Sequence, residues 1–394
     1  MAVGVQVTGT GMVDTRIAGG LVAEIMPDLA AAEALWRRLE ADPASLGTPY
    51  QRFDWIGAYL RATGQAERAR VAVLRDADGR PRILIPFTLQ REHGLRLAHT
   101  VGDTHANYHL PLFATRGAAA IAPGSIVAAL IRAGRADGID AFALKHQPRM
   151  WDGAANPLAA SGEAEASDAY GLMLGPDPEA TVRRVFSADA RKKLRSKEKR
   201  LVEAHGAITY RRAETADETG RLLAAFFAQK SARFAGMGVS DPYADPAIRA
   251  FLTAAATGAE PAVELYALCL AESGRVLATF GGAVSERRFS GMMTAFDGDP
   301  EIARYSPGDL LLQHLVRDQT ARGRQGFDLG VGEARYKASI CDETIGLVET
   351  IIPVTLRGRI YGALRRGLNR TKRRIKRDPR LYALLKRLRT LRRS

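Results

Sequence analysis

The sequence predicts a mixed α/β protein of the α+β kind, two copies of one unit followed by a basic helical tail. Three observations carry this. A β-hairpin, a third strand, a helix and a short strand succeed one another in the first half of the 394-residue chain and again in the second. The stretch VAVLRDADGR (71–80) aligns without gaps on YALCLAESGR (266–275), and both end in Gly-Arg before running into a second strand. Finally, charge is segregated. Residues 355–394 hold 16 Lys and Arg against one acid, Asp378, whereas the whole chain has 57 basic and 43 acidic residues and a net charge of +14. The body is therefore close to neutral, and the basic total reports a tail, where it would otherwise suggest a nucleic-acid binder.

Taken in order, residues 28–40 (DLAAAEALWRRLE) place Leu29, Leu35, Trp36 and Leu39 at helical spacing. Residues 53–60 form a short second helix. Residues 71–74 and 83–90 are strand-like and joined by Asp76-Ala77-Asp78-Gly79, strong turn chemistry. A third strand at 95–101, a helix at 125–136 and a short strand at 142–144 complete the first unit. The second repeats the order with strands at 266–270, 276–284 and 289–295 and a helix at 309–321. Leu311, Leu312, Leu315 and Val316 form that helix's apolar face, and a strand follows at 327–329. Gly138-Ile139-Asp140 pairs with Gly326-Phe327-Asp328 in this alignment. Residues 148–177 are rich in Ala, Gly, Ser and Glu and read as a linker. Residues 181–205 read as one long helix, with nine basic residues between 183 and 200. The expected organisation is a first domain over 1–150, a linker over 151–180, a second domain over 181–350 and the tail over 355–394.

Composition narrows the classes. At 46% hydrophobic and 25% charged, the chain is an ordinary globular one. Cys269 and Cys341 are its two cysteines, with no CxxC pair, which argues against a disulfide framework and a zinc site and makes a reducing cytoplasm the default. No apolar run reaches the ~18 residues of a membrane span. The first residues lack the basic start and apolar run of a secretory leader.

Several stretches carry a resemblance. ARKKLRSKEKRLVEAHG (190–206), RYSPGDLLLQHLV (304–316) and FDLGVGEARYKASICD (327–342) resemble the CelD/BcsL-like acetyltransferases of cellulose and exopolysaccharide biosynthesis. That family is a branch of the GNAT acyltransferase fold, related to the Fem-type aminoacyl transferases of peptidoglycan assembly. PYQRFDWIGAYL (49–60) and VGDTHANYHLPLF (101–113) look like its opening helix and Gly…Tyr segment. The strongest motif is Phe327-Asp328-Leu329-Gly330 followed by Glu333 and Tyr336-Lys337. The resemblance spans about residues 45–342. It implies tandem GNAT-like (acyl-CoA N-acyltransferase) domains, the second better marked, with acetyl-CoA or another acyl-CoA as co-substrate.

Such transfer needs an anion cradle, a base and a group to meet developing charge. Unpaired N–H groups at a helix N-terminus supply the first, and Ser306-Pro307-Gly308-Asp309 fits that position. GNAT enzymes usually carry a glycine-richer loop there, so a plain cap with Ser306 and Asp309 as a variant capping box stays open beside the cradle. Asp328 and Glu333 flank the end of a strand and are the candidate bases. Glu333 ranks first, because Asp328 has Asp140 as its repeat partner. Tyr336 is placed to protonate a leaving thiolate and Lys337 to offset phosphate or developing charge. Gly330-Val331-Gly332-Glu333-Ala334-Arg335 imitates a dinucleotide fingerprint, but Arg335 replaces the third glycine. His99, Asp103, His105 and His109 share one loop without helical spacing, and no metal is expected there.

The basic run at 183–200 reads as a solvated helix face or as an anion-binding face near the site. The tail divides at Asp378-Pro379, a cap and first-turn pair. Its leucines recur among arginines, which suits an anionic membrane surface. Nucleic acid is the weaker partner, since only Tyr361 and Tyr382 offer stacking. The expected protein is a cytoplasmic acyl-CoA-dependent acetyltransferase, peripheral on the inner face of the membrane. It acts on an amine or hydroxyl of a sugar or envelope-polysaccharide precursor by direct attack in a ternary complex. An aminoacyl-tRNA-dependent Fem-like transferase and a non-catalytic GNAT-fold scaffold remain alternatives.

Overall fold

A computed structural model describes residues 20–377. The first half opens with β1 (Val22–Met26) and α1 (Leu29–Glu40), whose N-terminus is capped by Asp28 Oδ1 accepting from Ala31 N at 2.8 Å. α2 (Phe53–Ala62) follows. Then come β2 (Ala69–Arg75), β3 (Pro81–Glu92), β4 (Leu95–Thr100), α3 (Pro123–Ala136) and β5 (Ala141–Pro148). The β2–β3 turn forms as its residues require: Asp76 Oδ1 accepts from Asp78 N and Arg80 N at 3.1 and 2.9 Å, and Gly79 takes φ +76°.

The expected linker is structured. It contributes β6 (Ala169–Met173) and the start of α4 (Pro178–Val185). The single helix expected over 181–205 is two, α4 and α5 (Ala188–His205). The break has a physical cause. Phe186 turns into the core in an extended conformation, and Ser187 starts a new helix by accepting from Ala190 N at 3.2 Å. The second half continues with β7 (Ile208–Arg212), α6 (Ala216–Gly236), α7 (Pro246–Ala256), β8 (Val263–Leu270), β9 (Val276–Val284) and β10 (Arg288–Phe296). α8 (Pro307–Ala321), β11 (Gly326–Val331), β12 (Glu343–Ile345), β13 (Leu347–Pro353) and α9 (Leu356–Arg377) complete it. The expected break at Asp378-Pro379 and the helix after it lie outside the described residues.

The repeat is longer than the sequence suggested. The order β1-α1-α2-β2-β3-β4-α3-β5 recurs in full as β7-α6-α7-β8-β9-β10-α8-β11. Each run builds a sheet, in order β1-β2-β3-β4-β5 and β7-β8-β9-β10-β11, and each sheet is extended by a strand from elsewhere. β6 lies antiparallel on β11, and β13 crosses back to lie antiparallel on β5, Leu347 opposite Pro148 and Pro353 opposite Ala141. The stretch after 346 thus belongs, by its hydrogen bonds, to the first sheet, although the expected second domain runs to 350.

The register also corrects one alignment. In the parallel pairs, Leu97, Ala98 and His99 face Ala141, Phe142 and Ala143, while Arg288, Phe289 and Ser290 face Gly326, Phe327 and Asp328. The structural counterpart of Asp328 is Ala143, not Asp140. Asp140 sits just before its strand, accepting from Arg96 N at 2.9 Å and Thr355 Oγ1 at 2.6 Å.

One apolar core runs through both halves, joined where Trp55 and Tyr59 of α2 meet Phe251 of α7 at ring separations of 5.0 and 5.3 Å. A second core lies under α4, α5 and α8 on the other face of the second sheet.

Candidate active site

β10 and β11 are parallel neighbours for three residue pairs only, ending at Ser290 opposite Asp328. Beyond that point β10 continues paired with β9 alone and β11 with β6 alone, Gly330 opposite Tyr170 and Val331 opposite Ala169. The two strands therefore part into a V. Gly291 is the first residue of one arm beyond the vertex, and Gly330, at φ +75°, lies on the other. A side chain at Gly330 would come within 3.0 Å of Asn107.

Asn107 belongs to the first half and fills the notch of the second. Its Nδ2 donates to Gly291 O at 2.9 Å and to Tyr50 Oη at 2.7 Å. Tyr50 Oη in turn donates to Ser290 O at 3.4 Å. Tyr108 lies beside Tyr50, its hydroxyl buried with no partner among the described residues. Burial pushes both phenols far above their ordinary pKa, with the negative charge of Asp328 adding to the shift, so both remain neutral donors.

The vertex rests on a buried ionic cluster. Arg288 donates from Nε and Nη2 to Asp328 Oδ1 at 2.8 and 2.6 Å, from Nη1 to Asp152 Oδ1 at 3.1 Å, and also to Glu343. Its guanidinium lies over Trp151, 4.3 Å from the ring centre. Asp328 is fully buried, and burial pushes its carboxyl upward against the opposing pull of Arg288. Its Oδ2 and Ser290 Oγ are without partners among the described residues. The β6 backbone seals it: a side chain at Gly171 would stand 2.7 Å from Asp328 Oδ1.

The anion-cradle residues lie at the far end of the β10 arm. Ser306 precedes α8 at φ +53° and makes no side-chain cap, so the expected capping box does not form. The left-handed backbone carries the hydroxyl to α5, where Lys197 Nζ donates to Ser306 Oγ at 2.6 Å. Pro307 has no N–H to satisfy, and Asp309 N and Leu310 N close on Ser306 O at 3.0 and 3.2 Å. A Cβ at Gly308 would stand in van der Waals contact with the Phe296 ring, 3.8 Å away, without a clash. Burial raises the Asp309 carboxyl, opposed by Lys197.

The remaining candidates are dispersed. Glu333 is exposed in the loop after β11, near enough to Tyr170 for its charge to raise that phenol's pKa beyond the effect of burial. Lys337 is 6% exposed, and its ammonium donates to Gly330 O and Val331 O at 3.0 and 3.2 Å. It therefore fastens the β11 arm, where the sequence suggested a counter-charge open to ligand. Burial lowers its pKa. The side chain of Tyr336 lies outside the described residues. His99 faces Glu92, His105 packs on Tyr59 and Phe251, and His109 stacks on His146. Among the described residues no group of three His, Cys, Asp or Glu side chains is arranged to hold a metal.

Sequence reasoning missed Tyr50, Asn107, Lys197 and Arg288 as individual residues. The first two lay in the segments that carried the resemblance and Lys197 in the basic run. Arg288 gave no signal, since a single arginine at a strand start does not reveal that it is buried.

Residues 188–338 match the acetyltransferase (GNAT) domain family. No curated protein matches the chain. Among solved structures, FemX is similar with a TM-score of 0.57 and 12% identity, over 86% of this chain and 99% of that one. A conserved protein of unknown function from Bacteroides thetaiotaomicron VPI-5482 gives a TM-score of 0.49 at 10% identity, over 82% and 97%. L-PGS from Bacillus licheniformis gives 0.45 at 13%, over 80% and 96%. The second half is an acyltransferase domain of the GNAT type, within a two-sheet fold that FemX shares.

Proposed function

We propose that the protein transfers an acyl group, acetyl in the first place, from acyl-CoA to an amine or hydroxyl of a sugar or envelope-polysaccharide precursor. The observation that carries this is the V between β10 and β11, whose β10 arm leads to the N-terminus of α8 with Lys197 beside it. Phe296 lies five positions beyond Gly291, about 17 Å at the usual rise of a strand, a reach that suits the pantetheine arm of the donor. The donor's phosphates would meet Lys197 and the backbone at Gly308, which carries no side chain of its own. Its thioester would lie beside the notch, against the Asn107 side chain that fills it. The acceptor's nitrogen or oxygen attacks the carbonyl carbon, the tetrahedral intermediate collapses, the C–S bond breaks, and the thiolate takes a proton.

The residues take graded roles in this reading. Glu333, the exposed carboxylate beyond the β11 arm, accepts the acceptor's proton directly or through water. Tyr336 protonates the thiolate, with Tyr50 as the phenol already held at the vertex. Lys337 and Asn107 position the two arms, and Asp328 anchors Arg288 beneath them. Residues 355–394 address the enzyme, from the cytoplasmic side, to an anionic membrane surface. The fold shared with FemX, together with the exposed basic residues of α5, favours one further reading, an aminoacyl-tRNA donor.

Titration calorimetry with acetyl-CoA tests this. Micromolar binding that weakens at least ~tenfold in Lys197→Ala is expected, as removal of one charge-assisted contact would do. Binding of aminoacyl-tRNA in its place would favour the second reading. Binding of neither would leave a scaffold.

A further inference from the structure

α9 is bolted to the first sheet on one face and turns an apolar face outward. No flexible tether precedes it. Val354 N and Thr355 N both donate to Asp140 O, at 2.9 and 3.2 Å, and Thr355 Oγ1 donates to the same residue's carboxylate. Gly358 lies so close that any side chain would overlap Asp140 O, and Gly362 is pressed against Ile351. Further along, Arg365 donates to Glu349 at 2.6 Å, Asn369 donates to the same carboxylate, and Arg370 reaches Glu163 at 2.6 Å. The opposite face carries Leu356, Ile360, Leu364 and Leu368, spaced by four and between 54% and 72% exposed. Arg359 and Arg366 follow one flank of this stripe at helical spacing. From 356 to 377 the helix holds ten basic residues and no acidic one.

We infer that α9 is an in-plane docking helix for an anionic lipid bilayer, and that its rigid junction holds the protein there in one orientation. This rests on the reading of residues 355–394 as a membrane address and names the face that does the docking. Charge decides between the occupants. Folding residues 378–394 back over the stripe, or pairing it with the same helix of a second copy, would bring arginines against arginines. An anionic headgroup layer meets those arginines with opposite charge, while its acyl boundary takes the four aliphatic side chains. The Gly358 and Gly362 contacts make the orientation definite, because the helix cannot roll without leaving β13 and Asp140.

The test is flotation of the full-length protein with vesicles of phosphatidylcholine alone and of phosphatidylcholine mixed with phosphatidylglycerol. The wild type is expected to float only with the mixed vesicles. Ile360→Ser/Leu364→Ser is expected to lose at least ~tenfold of that binding, given the apolar area removed. Its thermal unfolding should be unchanged, because both side chains are exposed. Arg359→Glu/Arg366→Glu should lose the preference for anionic lipid. Wild-type flotation that Ile360→Ser/Leu364→Ser retains would overturn the docking face and leave the address reading standing. A wild type that floats with neither vesicle would overturn both. A dimer that this double variant dissociates, without any vesicle binding, would assign the stripe to a second copy and overturn the proposal too.

Discussion

Asn107 ties Tyr50 to Gly291 across the two halves, and neither donor is spare: each of its two amide hydrogens has a partner. Asn107→Ala therefore leaves a carbonyl and a phenol short of a bond. A loss of roughly 1–3 kcal/mol is expected from urea unfolding. Tyr50→Phe removes only the hydroxyl. If Tyr50 serves the leaving thiolate, kcat falls at least ~tenfold with the acetyl-CoA Kd unchanged, and unchanged kcat leaves that role to Tyr336. His109 sets a pH limit. Burial, helped by the neighbouring His146 ring and Lys145, pushes its pKa from 6.5 to about 3. The unfolded chain takes a proton near 6.5 that the fold refuses until about 3. Its contribution to stability is thus complete above 6.5 and is lost progressively as pH falls toward 3. The Tm of His109→Gln should fall less steeply than that of the wild type between pH 7 and pH 4.

At the scale of the element, local chemistry was readable and breaks in it were less so. The Asp76–Gly79 turn and the helices at 28–40 and 309–321 follow from turn residues and apolar spacing, and the structure has them. The split between α4 and α5 was not readable, because a buried Phe186 followed by a capping Ser187 reads as helix until its burial is known. Likewise Ser306 looks like a cap, yet its left-handed backbone gives the hydroxyl to Lys197. Asp140 and Asp328 look equivalent in sequence, yet hydrogen-bond register separates them by three residues. In α9 the decisive residue is Gly358. Gly358→Val should lower stability by roughly 1–3 kcal/mol, the usual range for overpacking, read as a lower denaturant midpoint at constant slope.

At the scale of the molecule, the exchange of β6 and β13 makes the halves interdependent. β13 lies inside the first sheet, between β5 and the short strand Glu163–Ala164. Ending the chain after Gly346 strips β5 of that partner and exposes Phe142 and Leu144 at a new edge. The truncated protein is expected to aggregate on expression. Recovery of a soluble, cooperatively folding 1–346 fragment would show that the exchange is dispensable.

By itself, the sequence determined the repeated unit, the neutral body and the basic tail. These follow from side-chain periodicity, turn chemistry and charge, all of which are local along the chain. Only the tertiary structure decided that the last strand returns to the first sheet, that Asn107 and Tyr50 enter the notch of the second, and that a stripe of α9 faces outward. The reason is that backbone hydrogen bonds between strands about 200 residues apart leave no periodic trace. Whether Asp328, Lys337 or Arg288 is sealed in or open to a ligand depends on what packs over it, which its neighbours in sequence do not specify.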